Sequence, residues 1–375
     1  MLIRIQIALI VLLLISVPAH ASPGTEGAAF LDIPVGAGPA AMGAAYCALA
    51  DNAYAPTLNP GGLGFLDSTQ MAGQYLSYLE SIHYEYASFV IPLPRRALCR
   101  DRLDCAGSGL GGSIQYLGSG DMTGYTLDNT YNPVATGNFT SYYSAFNLSY
   151  GQLITRELSF GMTAKTIRAK IDDVSASAYA IDMGSMLRFS NKLTLAAVLT
   201  NVGSKLTFLD EGDALPLAFR LGAAYPMNPR WGFSAEGVYP KTGLANLRVG
   251  AQWQAYPAML FRAGYRTDTV KQLGVIAGFT LGTGFLFRGH EFSYAWVPLG
   301  DLGNTHYFSL VLRFGGIERT KQNLIDARSI KNKPMTHDQM DENDPEYQQL
   351  MQLFSDDNTE AKPKPPQKQR KPKQR

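Results

Sequence analysis

The side chains that could carry out catalysis or bind metal are spread thinly along this chain. Apart from His20, the histidines are His83, His290, His306 and His337, with none of the close spacing that metal ligands need. No Gly-x-Ser-x-Gly segment offers a nucleophile elbow. Gly107, Gly109 and Gly112 match a dinucleotide-binding fingerprint as text. That fingerprint needs a strand before it and a helix after it, and here an alternating strand-like segment follows. Gly36 and Gly38 precede an alanine-rich run that Pro39 turns aside. Cys99 and Cys105 lie in one polar stretch and could bridge in an oxidising compartment, leaving Cys47 as a free thiol. An enzyme built into a barrel wall would need a Ser/His pair on an outer strand face, and none is found. The expectation is therefore no enzyme, no cofactor and no metal.

Charged residues inside apolar stretches carry more information. Lys165, Asp182, Arg188, Arg220, Glu236, Arg248 and Arg313 each fall in a segment whose neighbours alternate between apolar and small or polar residues. In each segment the charge occupies the face opposite the apolar one. If the apolar face meets lipid, these charges must point inward, because Arg or Lys at mid-membrane costs about 2–4 kcal/mol. Two chemistries then fit. A basic lining can attract an anionic head group such as a fatty-acid carboxylate. Alternatively, the charges form an ion-pair network that holds inner parts to the wall, with Asp51 and Asp67 as partners, since unpaired buried charge is costly.

The elements that would position such a lining follow from hydropathy. The chain opens with Arg4, an apolar run from Ile7 to Val17 and Ala19-His20-Ala21, which reads as a signal peptide over 1–21. A single anchor would need about 20 apolar residues, and this run stops at Pro18. No later run is long enough for a membrane helix. Hydrophobic residues make up 46% of the chain and charged residues 17%, and 22 of the 64 charges lie beyond Gly316. The rest carries roughly half the charge density of a soluble domain. A net charge of +2 argues against a nucleic-acid partner.

Between 68 and 316, alternation at a period of two marks about 14 strands. They are expected near Thr69–Leu79, His83–Pro92, Gly109–Leu117, Phe139–Tyr150, Leu158–Ala169, Ser177–Phe189 and Leu193–Leu206. The others fall near Leu217–Tyr225, Gly232–Tyr239, Leu247–Tyr256, Met259–Arg266, Leu273–Leu281, Gly284–Trp296 and Tyr307–Phe314. In Gly284–Trp296 the apolar set changes face, which a bulge near Gly289 would explain. Short connections at residues 190–192, 226–230, 257–258 and 282–283 alternate with longer ones at 118–138, 208–214 and 298–306. This is the asymmetry of an all-β, antiparallel up-and-down transmembrane β-barrel. The exception is the long link at 93–108, which holds the cysteine pair.

The segment after the leader contains Phe30–Gly38 (FLDIPVGAG), Pro39-Ala40-Ala41-Met42-Gly43-Ala44-Ala45-Tyr46, Ala50-Asp51-Asn52 and Asn59-Pro60-Gly61-Gly62-Leu63. It resembles the N-terminal signature of the PorV/PorQ family, itself similar to FadL-like transporters of hydrophobic compounds. Gly38 precedes Pro39 where the family often has arginine, and Gly61 replaces an alanine. The resemblance implies a 14-stranded barrel with residues 22–67 as a plug in its lumen. Phe30, Leu31, Ile33 and Val35 would line an apolar site if the plug moves, and only fill space if it is fixed. Asn59 and Pro60 belong to the same signature.

Residues 317–375 are charged and rich in Gln and Pro, and Lys362–Arg375 holds seven Lys/Arg, four prolines and no acid. This tail is expected to be largely disordered, and can touch peptidoglycan, anionic lipid or a periplasmic partner. The expected location is the bacterial outer membrane, in contact with its lipid, with both termini periplasmic. The resemblance implies an accessory barrel that binds proteins of secretion or surface attachment. The alternative is a FadL-like channel for hydrophobic small molecules such as long-chain fatty acids.

Overall fold

The computed structural model describes residues 26–78, 81–93 and 107–314. The leader, the tail and the Cys99/Cys105 pair lie outside the described residues. The strands are β1 (Thr69–Ser77), β2 (His83–Leu93), β3 (Ser108–Leu127), β4 (Pro133–Leu153), β5 (Leu158–Ile171), β6 (Val174–Arg188), β7 (Thr194–Gly203), β8 (Leu206–Phe208) and β9 (Glu211–Asp213). They continue with β10 (Ala218–Pro226), β11 (Trp231–Pro240), β12 (Asn246–Tyr256), β13 (Met259–Arg266), β14 (Phe279–Phe287), β15 (His290–Pro298) and β16 (Asn304–Phe314). Fourteen of these close into one antiparallel barrel in which each strand pairs with its chain neighbours and β1 pairs with β16. The remaining two, β8 and β9, form a separate small hairpin in the connection between β7 and β10.

The wall is apolar outside and polar inside. Ile114, Phe146, Leu148, Tyr179, Phe233 and Phe292 are exposed on its outer face, while Gln70, Gln74, Ser113, Gln115, Asn147 and Thr163 are buried within. Only a hydrocarbon solvent makes that arrangement stable, so the wall is built to span a membrane. Aromatics collect toward the strand ends, as interfacial girdles do: Trp231 stacks on Trp253 at 5.6 Å, and Trp253 meets Phe261 at 5.8 Å. No helix among the described residues is long and apolar enough to cross a membrane; the strands do the crossing.

Three expectations about the strands need correction. Leu273–Leu281 is not a strand of its own, because residues 270–278 form two short helical turns and Phe279–Leu281 opens β14. Gly284–Trp296 is two strands, and no bulge lies at Gly289. Phe287 pairs with His290 across the two-residue turn Arg288-Gly289, whose φ values of 49° and 84° are those of a type I′ hairpin. The connection at 282–283 is therefore strand interior. Gly282 is small for another reason: a Cβ there would lie 2.5 Å from that of Ala41 inside the barrel. Finally, much of the expected loop 118–138 is regular, since β3 and β4 stay paired out to Leu127 and Pro133.

Residues 26–67 run through the lumen as short helical turns and extended links. Irregular backbone inside a barrel must find hydrogen-bond partners, and the inward side chains of the wall supply them. Gln74 accepts from the Gly36 N–H. Ser309 and Thr280 accept from Ala37 and Gly43, at 3.1 and 3.0 Å. Ser88, Thr163 and Ser159 donate to the carbonyls of Ala53, Pro56 and Gly61, at 2.6, 3.0 and 2.6 Å. Gly27 donates to Ala214, between β7 and β10, whereas the segment ends beside Thr69. It thus crosses the lumen from one end to the other. Gly27 therefore lies at the end opposite Thr69 and Phe314.

Candidate ligand cavity in the lumen

Each charged lumen residue sits where strand alternation puts it, on the inner face of the wall. Lys165 on β5 pairs with Asp182 on β6 at 2.7 Å, and both side chains are almost fully buried. Lys165 also donates to Asn201 Oδ1 at 2.8 Å, and Asp182 accepts the Asn201 N–H at 2.7 Å. Asn201 reaches this position through a bulge. The β6–β7 register shifts between Ile181 and Met183, and Asn201 takes a φ of 60°.

On the next strands, Arg220 binds Glu236 at 2.6 Å, while the other oxygen of Glu236 accepts the N–H groups of Tyr46 and Cys47 at 3.0 and 2.9 Å. Arg248 lies 4.0 Å from Glu236 and 3.1 Å from Asp268, which Arg266 also binds at 2.6 Å. Asp268 follows the end of β13. Burial alone would raise its pKa, but the hydrogen bonds and charge of Arg266, with Arg248 beside it, hold it far below the usual carboxylate range.

Nearer the other end, Arg188 pairs with Asp51, one of the two partners weighed from sequence, and lies 4.1 Å over the Phe65 ring. Arg313 lies 3.8 Å from Glu291 and donates to Gly289 O at 3.0 Å. Sequence reasoning missed Arg262, which binds Glu291 at 2.7 Å, as well as Arg266 and Glu291 themselves. Alternation along Met259–Arg266 contains the signal for both arginines: Met259 and Phe261 face out, so Arg262 and Arg266 face in. Glu291 was hidden by the misplaced β14–β15 turn.

The N-terminal candidates separate. Phe30 is buried with its ring 5.7 Å from Tyr143, and it does not line the cavity described below. Asn59 is fully buried; it accepts from Gly61 N–H at 2.9 Å and donates to the carbonyls of Cys47 and Ser185 at 2.9 and 3.2 Å. Pro60 lies so close to Gly161 that a Cβ there would come within 2.3 Å of it. Those two residues fasten backbone to backbone and offer no group to a ligand.

Leu31, Ile33 and Val35 do line a shared space. They border a cavity of ≈ 50 Å³ together with Leu58 and with Lys165, Arg220 and Arg248 from the wall. Asp32 lines it too and is open to solvent. One side of the cavity is apolar and the other cationic, which suits a molecule with a hydrocarbon body and an anionic end. Among the described residues no three His, Cys, Asp or Glu side chains converge as a metal site.

No protein-family model matches the chain, and no curated protein matches it in sequence. Solved structures do. A Pseudomonas aeruginosa FadL homologue is similar at 13% identity and a TM-score of 0.45, over 74% of this chain and 97% of that one. The Pseudomonas putida toluene transporter TodX is similar at 10% identity and a TM-score of 0.48, over 70% and 94%. The Acinetobacter baumannii outer-membrane protein Omp33 is similar at 15% identity and a TM-score of 0.39, over 66% and 98%.

Proposed function

We propose that this protein is an outer-membrane barrel whose lumen is a gated passage for hydrophobic small molecules, long-chain fatty acids among them. The observation that carries this reading is the two-sided cavity, with Leu31, Ile33, Val35 and Leu58 facing Lys165, Arg220 and Arg248. An apolar exterior, an expected signal peptide and long connections at one end support an outer-membrane site with that end outward. At ≈ 50 Å³ the cavity holds only a few water molecules. Passage therefore requires residues 26–35 to shift, and they are the gate in this reading.

A second reading, an accessory barrel that binds proteins of secretion or surface attachment, draws support from two other observations. Residues 36–66 are pinned along most of their length to the wall. The β3–β4 hairpin also extends beyond the barrel with Tyr125, Leu127 and Tyr131 exposed, a surface suited to protein contact.

A disulfide lock separates the two. A Cβ at Gly27 would lie 3.2 Å from that of Leu206, so Gly27→Cys with Leu206→Cys can bridge after a small shift. In proteoliposomes, the oxidised variant is expected to lose uptake of fluorescent dodecanoate and the reduced one to regain it. Equal uptake in both states would show that residues 26–35 are not the gate, and no uptake by the wild type would leave the accessory reading in place.

A further inference from the structure

The cations around the cavity outnumber the wall carboxylates that answer them. Lys165 has Asp182, Arg220 has Glu236, and Arg266 has Asp268, each at 2.6–2.7 Å. Arg248 has no carboxylate of its own. It shares Asp268 with Arg266 at 3.1 Å and lies 4.0 Å from a Glu236 already held by Arg220. Its Nε is buried without a hydrogen-bond partner among the described residues. One positive charge at the cavity wall is left over.

The residue that answers it does not belong to the wall. Asp32 closes the short helical turn Ala29–Asp32 and lines the same cavity as Arg248, Arg220 and Lys165. No cation lies within 4.0 Å of it among the described residues, so it balances the cluster across the cavity without being bound to any member. We propose that Asp32 is a resident stand-in for a ligand's carboxylate. It neutralises the surplus charge while the cavity is empty, and the anionic head of an incoming ligand displaces it. This inference rests on the passage reading and adds its trigger.

The mechanism is charge exchange. A second carboxylate brought to Arg248 meets the carboxylate of Asp32 at the same cavity, and the two like charges repel. When the ligand's head group takes Arg248, Asp32 must leave, and Leu31 and Ile33 on either side of it leave with it. Those two side chains occupy the apolar half of the site, so the exchange that seats the head group also makes room for the tail. A neutral molecule of the same length offers no charge to exchange and gains nothing from removing Asp32.

The test compares dodecanoate with dodecanol for binding to the full-length protein in detergent, each by calorimetric titration. Asp32→Asn is expected to tighten dodecanoate about tenfold and leave dodecanol unchanged. Arg248→Gln added to it is expected to abolish the gain. Asp32→Glu, which keeps the charge, is expected to stay close to wild type, and a heat-modifiable band on SDS gels verifies that each variant is folded. If Asp32→Asn binds dodecanoate no tighter, or tightens both probes equally, the stand-in role is wrong while the passage reading survives. If the wild type and every variant bind neither probe, both fall together.

Discussion

The Lys165–Asp182 pair shows what burial demands of single residues. Two opposite charges this far from water are costly to desolvate, and their attraction roughly offsets that cost only while both are present. Asn201 completes the arrangement from a left-handed bulge that no residue of β7 announces on its own. Asp182→Ala is expected to destabilise the barrel by about 3–5 kcal/mol in urea unfolding, and the double change Lys165→Met with Asp182→Leu to recover most of it. A single variant no less stable than wild type would show that the pair is already well solvated.

Asp268 gives the pH dependence at this scale. Its folded pKa is depressed, so the clamp on Arg266 and Arg248 stabilises the fold above the unfolded value of about 3.9 and is lost as pH falls through the folded one. Wild-type stability in urea is expected to fall with acidification below about pH 4, and Asp268→Asn to be less stable at neutral pH with a flatter acid limb. Parallel pH curves for the two proteins would count against it.

At the scale of elements, glycine has two different uses here, and only one of them shows in the local sequence. Gly289 makes the β14–β15 hairpin because its φ of 84° is open to glycine at little cost. Gly282, Gly264 and Gly161 lie within strands and are small because the N-terminal segment passes against them. Gly282 was read as a turn and Gly289 as a bulge, because both glycines interrupt alternation equally. Gly222 is another close approach, since a Cβ there would lie 2.3 Å from the buried Sγ of Cys47. Gly222→Ala is expected to force the segment outward locally while the barrel still closes. Overpacking of about 1–3 kcal/mol corresponds to labelling of Cys47 about ten- to a hundredfold faster, read by mass mapping of a thiol reagent. Unchanged labelling would mean that the segment already breathes away from the wall.

For the whole molecule, the governing fact is that two media meet the same wall. Leu148 is exposed on the outer face and Asn147 is buried on the inner one, adjacent in sequence and opposite in surroundings. Leu148→Arg is expected to cost about 2–4 kcal/mol if it sits at the lipid midplane. The measurement is urea titration of the protein refolded into lipid vesicles. The same experiment in a soluble barrel would show almost no loss, so a cost near zero would overturn the lipid-facing assignment.

Alternation along the chain placed most of the wall strands and put Lys165, Asp182, Arg188, Arg220, Glu236, Arg248 and Arg313 on their inner faces, but around residues 270–296 two misreadings offset each other in the strand count. These follow from a local rule: successive strand residues point into different media, so the hydropathy pattern must carry a period of two. The tertiary structure alone decided which carboxylate meets which cation, that Asn201 joins the Lys165 pair, that Arg248 is left in surplus, and that Asp32 faces it across a cavity. It also showed which glycines were turns and which were contact points. The wall pairs join adjacent strands whose exact register and bulges alternation does not specify, and the contacts of residues 26–67 with the wall join groups more than a hundred positions apart, a separation that no local pattern encodes.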